Sequence, residues 1–279
     1  MPDGLRLALT MLSIAPLRGP EQLGRRQAGI AIGLAPAVGG LIGLAAAILL
    51  IAMRELAPAT SPPLLACTLA IGALAVLTRG LHLDGLCDTV DGLASYRPAR
   101  EALAVMRRSD LGPSGLVAVV LCLAIQVSAL LHSVRDGRGT LSLLLAVVTA
   151  RIAVAAACTP VTPAACASGL GALVAGSVPR PVPVVWAALV AAAAAGYGAL
   201  DTAGTGGVVV VDAVRPLLAL SVGLLAARLL RRHVIRRLGG ITGDVLGAII
   251  EVTTTVVLVV MSADLPLWVQ HHFHLMQPV

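Results

Sequence analysis

The fold of this chain is decided by residues 28–53, which read AGIAIGLAPAVGGLIGLAAAILLIAM and hold no charged side chain in 26 positions. A helix needs about 20 predominantly apolar residues to cross the hydrocarbon core of a bilayer. Six further apolar runs follow, at about 62–78, 113–134, 140–160, 182–200, 208–230 and 244–262. The sequence therefore predicts an all-α fold, a polytopic integral membrane helix bundle with about seven transmembrane helices.

The composition excludes other classes of protein. Of the 279 residues, 58% are hydrophobic and 12% are charged, whereas a soluble domain carries about 25% charged residues. Disordered chains are polar and charged, so disorder is excluded as well. We expect one membrane-embedded domain over 1–279, with a charged loop at about 79–112, a second motif at about 239–251 and a peripheral tail at 263–279.

The arginines predict the orientation in the membrane, because cytoplasmic loops collect positive charge. With the N-terminus in the cytoplasm, 15 of the 20 arginines fall on the cytoplasmic side and three on the other side. The three are Arg54, Arg135 and Arg138. We therefore expect a multi-pass membrane protein with a cytoplasmic N-terminus.

Three acids follow the second apolar run at spacings of four and three residues: Asp84, Asp88 and Asp91. On a helix their side chains lie within about 60° of one another. Carboxylates this close repel one another unless a cation neutralises them, and ligands that are all oxygen suit Mg²⁺. The stripe predicts a metal site, and the alternative is a solvated polar helix face.

A second pair of acids, Asp244 and Glu251, is seven residues apart and shares one face of the last predicted span. Asp244 lies where that span begins, and an acid there also suits the positive end of a helix dipole. Glu251 lies two turns deeper, where a carboxylate needs a partner. Arg151, in the middle of TARIAV (149–154), is one candidate partner. A structural ion pair and a functional site both remain open for these two residues.

Cations and a histidine flank the acidic stripe. Arg107 and Arg108 precede Asp110 and a glycine turn, and two adjacent arginines can hold a phosphate. Anchoring of the loop at the cytoplasmic surface explains them equally well. His82 adjoins the stripe and could act as a base or as a donor to phosphate.

Several of these stretches resemble the cobalamin synthase family, the adenosylcobinamide-GDP ribazoletransferases. The strongest likeness is in HLDGLCDTVDGLAS (82–95), supported by EALAVMRRSDLGPSG (101–115) and GGITGDVLGAIIE (239–251). TARIAV, GLGALV (169–174) and the segment beginning LTMLSIAPLRGP (9–20) are also similar to the family. The chain departs from it at MRRSD, where many members have MKDS or MRDS, so that the acid stands at Asp110.

The resemblance implies an Mg²⁺-dependent membrane phosphotransferase of cobalamin biosynthesis in the bacterial cell (inner) membrane. The single domain over 1–279 is then expected to be catalytic, with the active-site loop at about 79–112. An oxygen of α-ribazole, or of its 5′-phosphate, would attack the cobinamide-linked phosphorus of adenosylcobinamide-GDP. GMP would leave, and adenosylcobalamin or its 5′-phosphate would form. The catalytic residues would be His82, Asp84, Asp88, Asp91 and Asp244, with Asp84, Asp88 and Asp91 as metal ligands.

Three arginines, Arg107, Arg108 and Arg151, are expected to bind the phosphates of the substrate. Asp110 and Glu251 are further candidate site residues to which no particular role is assigned. The expected partners are the two cytosolic substrates and the lipid bilayer, with no nucleic acid and an active site facing the cytoplasm. A homo-oligomer, or a complex with other cobamide-assembly enzymes, stays open.

Two other classes of function compete with this interpretation. A CDP-alcohol phosphotransferase would carry DGxxAR after its first acid, but Asp88-Thr89 stands at the Ala-Arg positions here. A secondary transporter would place its charges near the midplane of inverted repeats. In this chain most acids cluster at one predicted interface instead, and no inverted repeat is visible.

Overall fold

The computed structural model describes residues 3–17, 24–56, 62–108, 110–205 and 209–263, with the backbone alone for 198–213. Within these ranges the chain forms twelve α-helices and one isolated parallel β-bridge, between Ala164 and Ile241. The helices are α1 (Asp3–Leu12), α2 (Arg25–Gly33), α3 (Ala35–Leu56), α4 (Leu64–Leu77), α5 (Leu81–Ala94), α6 (Ala99–Val105), α7 (Pro113–Arg135), α8 (Gly139–Ala157), α9 (Leu170–Val174), α10 (Pro181–Thr205), α11 (Val209–Leu238) and α12 (Gly243–Ser262). Apart from Ala263, the tail that we expected to be peripheral lies outside the described residues.

The prediction of an all-α membrane bundle is confirmed. By length and composition, α3, α7, α8 and α12 can each cross a bilayer, and α4 with α5 would make a fifth span if the pair is counted as one. This count covers the described residues only. Helices α10 and α11 occupy two further predicted spans, so the number seven and the cytoplasmic N-terminus stay predictions.

One predicted span is interrupted, and another, 62–78, folds as α4 and is followed directly by a sharp bend. The run 28–53 folds as α2 and α3 with a break at Leu34, because Pro36 has no N–H to donate to the preceding turn. Helices α4 and α5 meet at 85°. The turn between them holds Arg79 and Gly80 at φ 57° and 68°, and the left-handed region costs a non-glycine residue about 1–2 kcal/mol. The Arg79 guanidinium donates to the Thr10 carbonyl (3.1 Å), which ties this turn to α1.

Helix α12 lies at the centre of the bundle and packs against α5, α7, α8 and α11. Its side chains Val245, Ile249, Val257 and Leu258 are fully buried. Large apolar side chains on the outer helices are exposed instead, among them Leu41, Ile48, Leu116, Val117 and Leu121. Soluble monomers rarely expose such continuous apolar surface, so these positions identify the faces that contact lipid.

Candidate active site

The acidic stripe lies on α5, which begins directly after the left-handed turn at Arg79 and Gly80. The predicted helical spacing is therefore the observed one. Asp84 is exposed, whereas Asp88 and Asp91 are half-buried. Asp88 lies within electrostatic range of Asp84 and Asp91. Negative charge is thus concentrated along one face of a short helix.

Close packing between α5 and α12 brings a fourth acid to this face. A Cβ atom at Gly85 would lie only 2.6 Å from the carbonyl oxygen of Asp244. A Cβ atom at Gly247, one turn further along α12, would lie 3.1 Å from the backbone of His82. Two glycines in contact let the helices approach closely, so that Asp244 interacts electrostatically with Asp84 and Asp88. We call Asp84, Asp88, Asp91 and Asp244 the acid site.

Two of the four acids, Asp91 and Asp244, also form hydrogen bonds at the N-terminus of a helix. The two carboxylate oxygens of Asp91 accept hydrogen bonds from the backbone N–H groups of Gly112 (3.0 Å) and Gly115 (2.8 Å), where α7 begins. At the start of α12 the side-chain cap is Thr242, whose hydroxyl oxygen accepts from Val245 N–H (3.2 Å). The Asp244 carboxylate accepts from the same hydroxyl (3.2 Å). Asp91 is therefore a helix cap as well as a member of the acid site, whereas the cap of α12 is Thr242 rather than Asp244.

A cavity of about 620 Å³ opens between α6, the segment 165–168 and the end of α11. Arg100 and Arg107 line it together with Cys166 and Ser168. Arg107 donates to the Cys166 sulfur (3.0 Å) and lies within electrostatic range of Asp244. The cavity thus joins fixed positive charge to the edge of the acid site. Arg108 is exposed, and so is Asp110 in the turn before α7.

His82, Arg151 and Glu251 lie apart from the acid site, in a small cavity deeper in the bundle. We call it the inner polar cavity; it is also lined by Gln126 and has a volume of about 20 Å³, room for about one water molecule. Gln126 donates to the Glu251 carboxylate (2.9 Å). Arg151, only 3% exposed, interacts with Glu251 electrostatically across the cavity. The sequence suggested Arg151 and Glu251 as partners, and in the structure they lie close together on the walls of the same cavity.

The comparison with known proteins identifies the family. A family model described as cobalamin-5-phosphate synthase matches residues 4–262. The chain belongs to the cobalamin-5-phosphate synthase family. The acid site, both arginine positions of the 620 Å³ cavity and the inner polar cavity all fall within the matched range.

Relatives of the chain are named adenosylcobinamide-GDP ribazoletransferase. A protein from Frankia casuarinae is 43% identical over 95% of this chain and 96% of its own length. One from Nocardioides sp. is 39% identical over 94% of this chain and its full length, and one from Stutzerimonas stutzeri is 36% identical over 91% and 96%. No solved structure matches the chain. The chain is therefore a transferase-family membrane protein of cobalamin synthesis, and the resemblance seen in its motifs is confirmed.

The acid site offers carboxylate oxygens, the type of ligand that Mg²⁺ prefers in proteins. In the described parts of the chain, however, no three His, Cys, Asp or Glu side chains converge closely enough to hold a metal ion. Mg²⁺ usually binds proteins through one or two carboxylates and completes its shell with water and substrate phosphate. A pair of these acids, Asp84 and Asp244, fits that requirement, because their charges lie within electrostatic range of each other.

Sequence reasoning missed two parts of this site. Gln126 is a polar side chain inside an apolar run, and such residues mark functional or structural contacts in membranes, so a signal was available. The segment that carries Cys166 gave no such signal. Its position depends on the bridge between Ala164 and Ile241, in which Ala165 N–H donates to the Ile241 carbonyl (3.0 Å) and Ile241 N–H to the Pro163 carbonyl (3.0 Å).

Proposed function

We propose that the protein is an adenosylcobinamide-GDP ribazoletransferase, which joins adenosylcobinamide-GDP to α-ribazole or its 5′-phosphate and releases GMP. The observation that carries the proposal is the acid site next to an arginine-lined cavity, in a chain that belongs to the cobalamin-5-phosphate synthase family. Transfer of a phosphoryl group needs positioning and electrostatic stabilisation more than covalent chemistry. Opposite charges held side by side provide both.

The acid site would hold Mg²⁺ through Asp84 and Asp244, two carboxylates on facing helices, which leaves Asp88 free of the ion. The ion would supply neutralising charge for the diphosphate of the nucleotide-activated substrate. Asp91 keeps α5 against the start of α7 through its bonds to Gly112 and Gly115. In this arrangement its main part is to position the other acids.

The positive groups would orient the substrate phosphates. Arg107 faces both the cavity and Asp244, and Arg100 lines the same cavity. Guanidinium groups bind phosphate through two parallel hydrogen bonds, so these two residues are suited to the GMP leaving group. Arg108, exposed beside them, would add charge at the entrance. Arg151 is buried in the inner polar cavity, and for it we favour a structural role.

The proton of the attacking ribazole hydroxyl needs an acceptor. Asp88 is half-buried among like charges, and a carboxylate in that position is a suitable base. His82 is 7% exposed and lines the inner polar cavity instead. We therefore propose an acid-site carboxylate, rather than His82, as the group that takes the proton.

The arginine distribution supports a site that faces the cytoplasm of a bacterial cell, where both substrates are made. A secondary transporter is disfavoured, because the four acids of the acid site cluster on α5 and at the start of α12 rather than along a central path. A CDP-alcohol phosphotransferase is disfavoured, because its motif is lacking around Asp84.

The proposal is tested by the purified full-length protein in proteoliposomes, supplied with adenosylcobinamide-GDP and α-ribazole. We expect GMP and the joined corrinoid in equal amounts, measured by chromatography, and loss of both when EDTA removes Mg²⁺. Asp84→Asn and Asp88→Asn should each lower the rate at least 100-fold. Glu101→Gln is the control, because Glu101 lies on neighbouring α6 in an exposed ion pair with Arg97 (3.7 Å). Absence of GMP release by the wild-type protein with both substrates and Mg²⁺ would refute the proposal.

A further inference from the structure

A second concave surface lies between α8, α10 and α11, and none of its residues belongs to the acid site. It is a groove of about 430 Å³. Its walls are mostly small or apolar side chains, including Ala153, Ala156, Ala187, Ala227 and Leu224. We call this surface the α8–α10–α11 groove.

Three arginines line the groove at one end: Arg180, just before α10, and Arg228 and Arg231 on α11. Arg228 and Arg231 are three residues apart and therefore lie on one helix face. None of the described residues that line the groove is acidic. Three like charges in one concave surface repel one another unless an anion binds between them.

Arg231 is held in place by hydrogen bonds to α8 and to the segment after it. Its guanidinium donates to the Ala156 carbonyl (3.0 Å) in the last turn of α8 and to the Thr162 hydroxyl (3.3 Å) in the segment that follows. Its buried Nε has no hydrogen-bond partner in the described part of the chain. Arg231 therefore holds the end of α8, and among the described residues its Nε–H is left as an unused hydrogen-bond donor. Arg180 and Arg228 are exposed at the rim of the groove.

The long axis of the groove follows the helices away from these charges. Leu224 lies one turn along α11 from Arg228, and Ala187 lies about two turns along α10 from Arg180. Val184 on the groove wall is 66% exposed, so the groove is open on the side that faces lipid. A negatively charged head group with a hydrocarbon chain matches this order of charge and apolar surface.

We propose that the α8–α10–α11 groove binds an anionic phospholipid of the surrounding bilayer. The phosphate contacts Arg180 and Arg228, and one acyl chain lies along the small side chains of α8 and α10. Basic pockets between membrane helices bind anionic head groups in this way. The proposal does not depend on the reaction at the acid site.

The test uses the full-length protein, stripped of lipid in a neutral detergent, with phosphatidylglycerol or phosphatidylcholine added in mixed micelles. We expect native mass spectrometry to retain phosphatidylglycerol, and the thermal midpoint to rise with that lipid alone, since a ligand of the native state stabilises it. Equal retention of the two lipids would overturn the proposal. So would an equal rise in the midpoint with inorganic phosphate, because that result identifies a free-anion site.

Two pairs of variants test the contact with the lipid head group and the contact with the acyl chain separately. Arg228→Gln should weaken phosphatidylglycerol binding about fivefold, whereas Arg232→Gln should change it less than twofold, because Arg232 is exposed on the same helix and does not line the groove. Ala187→Leu should weaken binding by filling the groove, and its exposed neighbour Ala188→Leu should not. Equal affinities within either pair of variants would contradict the placement of the lipid.

Discussion

Gly85 is the position at which the structure makes its sharpest prediction about the acid site. The ideal Cβ atom of an alanine there would lie 2.6 Å from the carbonyl oxygen and 2.9 Å from the Cα of Asp244. Both atoms belong to the backbone, so no side-chain rotation can relieve the contact. Ordinary contacts begin at 3.4 Å. Gly85→Ala must therefore push the start of α12 about 0.8 Å away from α5.

The energetic consequence is the sum of two opposing effects. Replacing a glycine inside a helix by alanine stabilises the helix by about 1 kcal/mol, whereas overpacking of a close contact costs about 1–3 kcal/mol. Gly72 on α4 supplies the control, because a Cβ atom there has no neighbour within 4 Å. The difference between Gly85→Ala and Gly72→Ala thus isolates the contact with Asp244, at about 1–3 kcal/mol.

The two variants are compared by thermal unfolding in detergent and by GMP release. For a chain of this size 1 kcal/mol corresponds to about 2–4 °C, so Gly85→Ala should unfold about 2–12 °C below Gly72→Ala. A displacement near 1 Å in an active site can cost about 100-fold in rate. We therefore expect Gly85→Ala to lose about 10- to 100-fold activity while Gly72→Ala keeps it. Equal stability and activity of the two variants would show that α5 and α12 do not meet at this contact.

Four further predictions concern the helix cap at Asp91, the bond between Gln126 and Glu251, the metal site and the orientation in the membrane. Asp91→Ala should lower stability by about 0.5–2 kcal/mol in thermal unfolding, since it removes a helix cap. Gln126→Leu should cost about 1–2 kcal/mol, measured in the same way, because Glu251 loses a buried hydrogen bond. Mg²⁺ should raise the thermal midpoint of the wild-type protein but raise that of Asp244→Asn less, and an equal rise would argue against Asp244 as a ligand. With the native cysteines replaced, Arg97→Cys should react with a membrane-impermeant maleimide only after the cells are opened, and labelling of intact cells would refute the cytoplasmic orientation.

The stripe on α5 was predictable because its signal is local. Acids at spacings of four and three in an apolar chain define one face of a helix, and Asp84, Asp88 and Asp91 occupy that face. The apolar runs were predictable for the same reason, since length and composition decide which segments can cross a bilayer.

Features that depend on contacts between distant segments were not predictable in this way. The turn at Arg79 and Gly80 sets α4 and α5 at 85° to each other. The sequence predicted that the apolar run ends at about 78, but not this angle. His82 adjoins the stripe in sequence, but lies two residues before Asp84 and therefore on another face of α5. It lines the inner polar cavity in consequence. The expectation that His82 lies beside the acids rested on its closeness in sequence, whereas its face of α5 decides which side chains surround it.

We infer that the inner polar cavity helps to fix the rotation of α12, and with it the position of Asp244 in the acid site. Apolar packing in a membrane does little to fix the rotation of a helix about its axis, because lipid and side chains are equally apolar. A buried polar contact does fix it, and in α12 the contact is Glu251 with Gln126 of α7 (2.9 Å). Seven residues advance a helix by about 700°, only about 20° short of two full turns, so Asp244 lies on the same face of α12 as Glu251. Glu251 also lines the inner polar cavity together with His82 of α5, so the bond that holds Glu251 keeps the face of α12 that carries Asp244 near α5. On this argument Glu251 and Gln126 are positioning residues for a site two turns away, which is why Gln126→Leu should lower the rate of GMP release as well as stability.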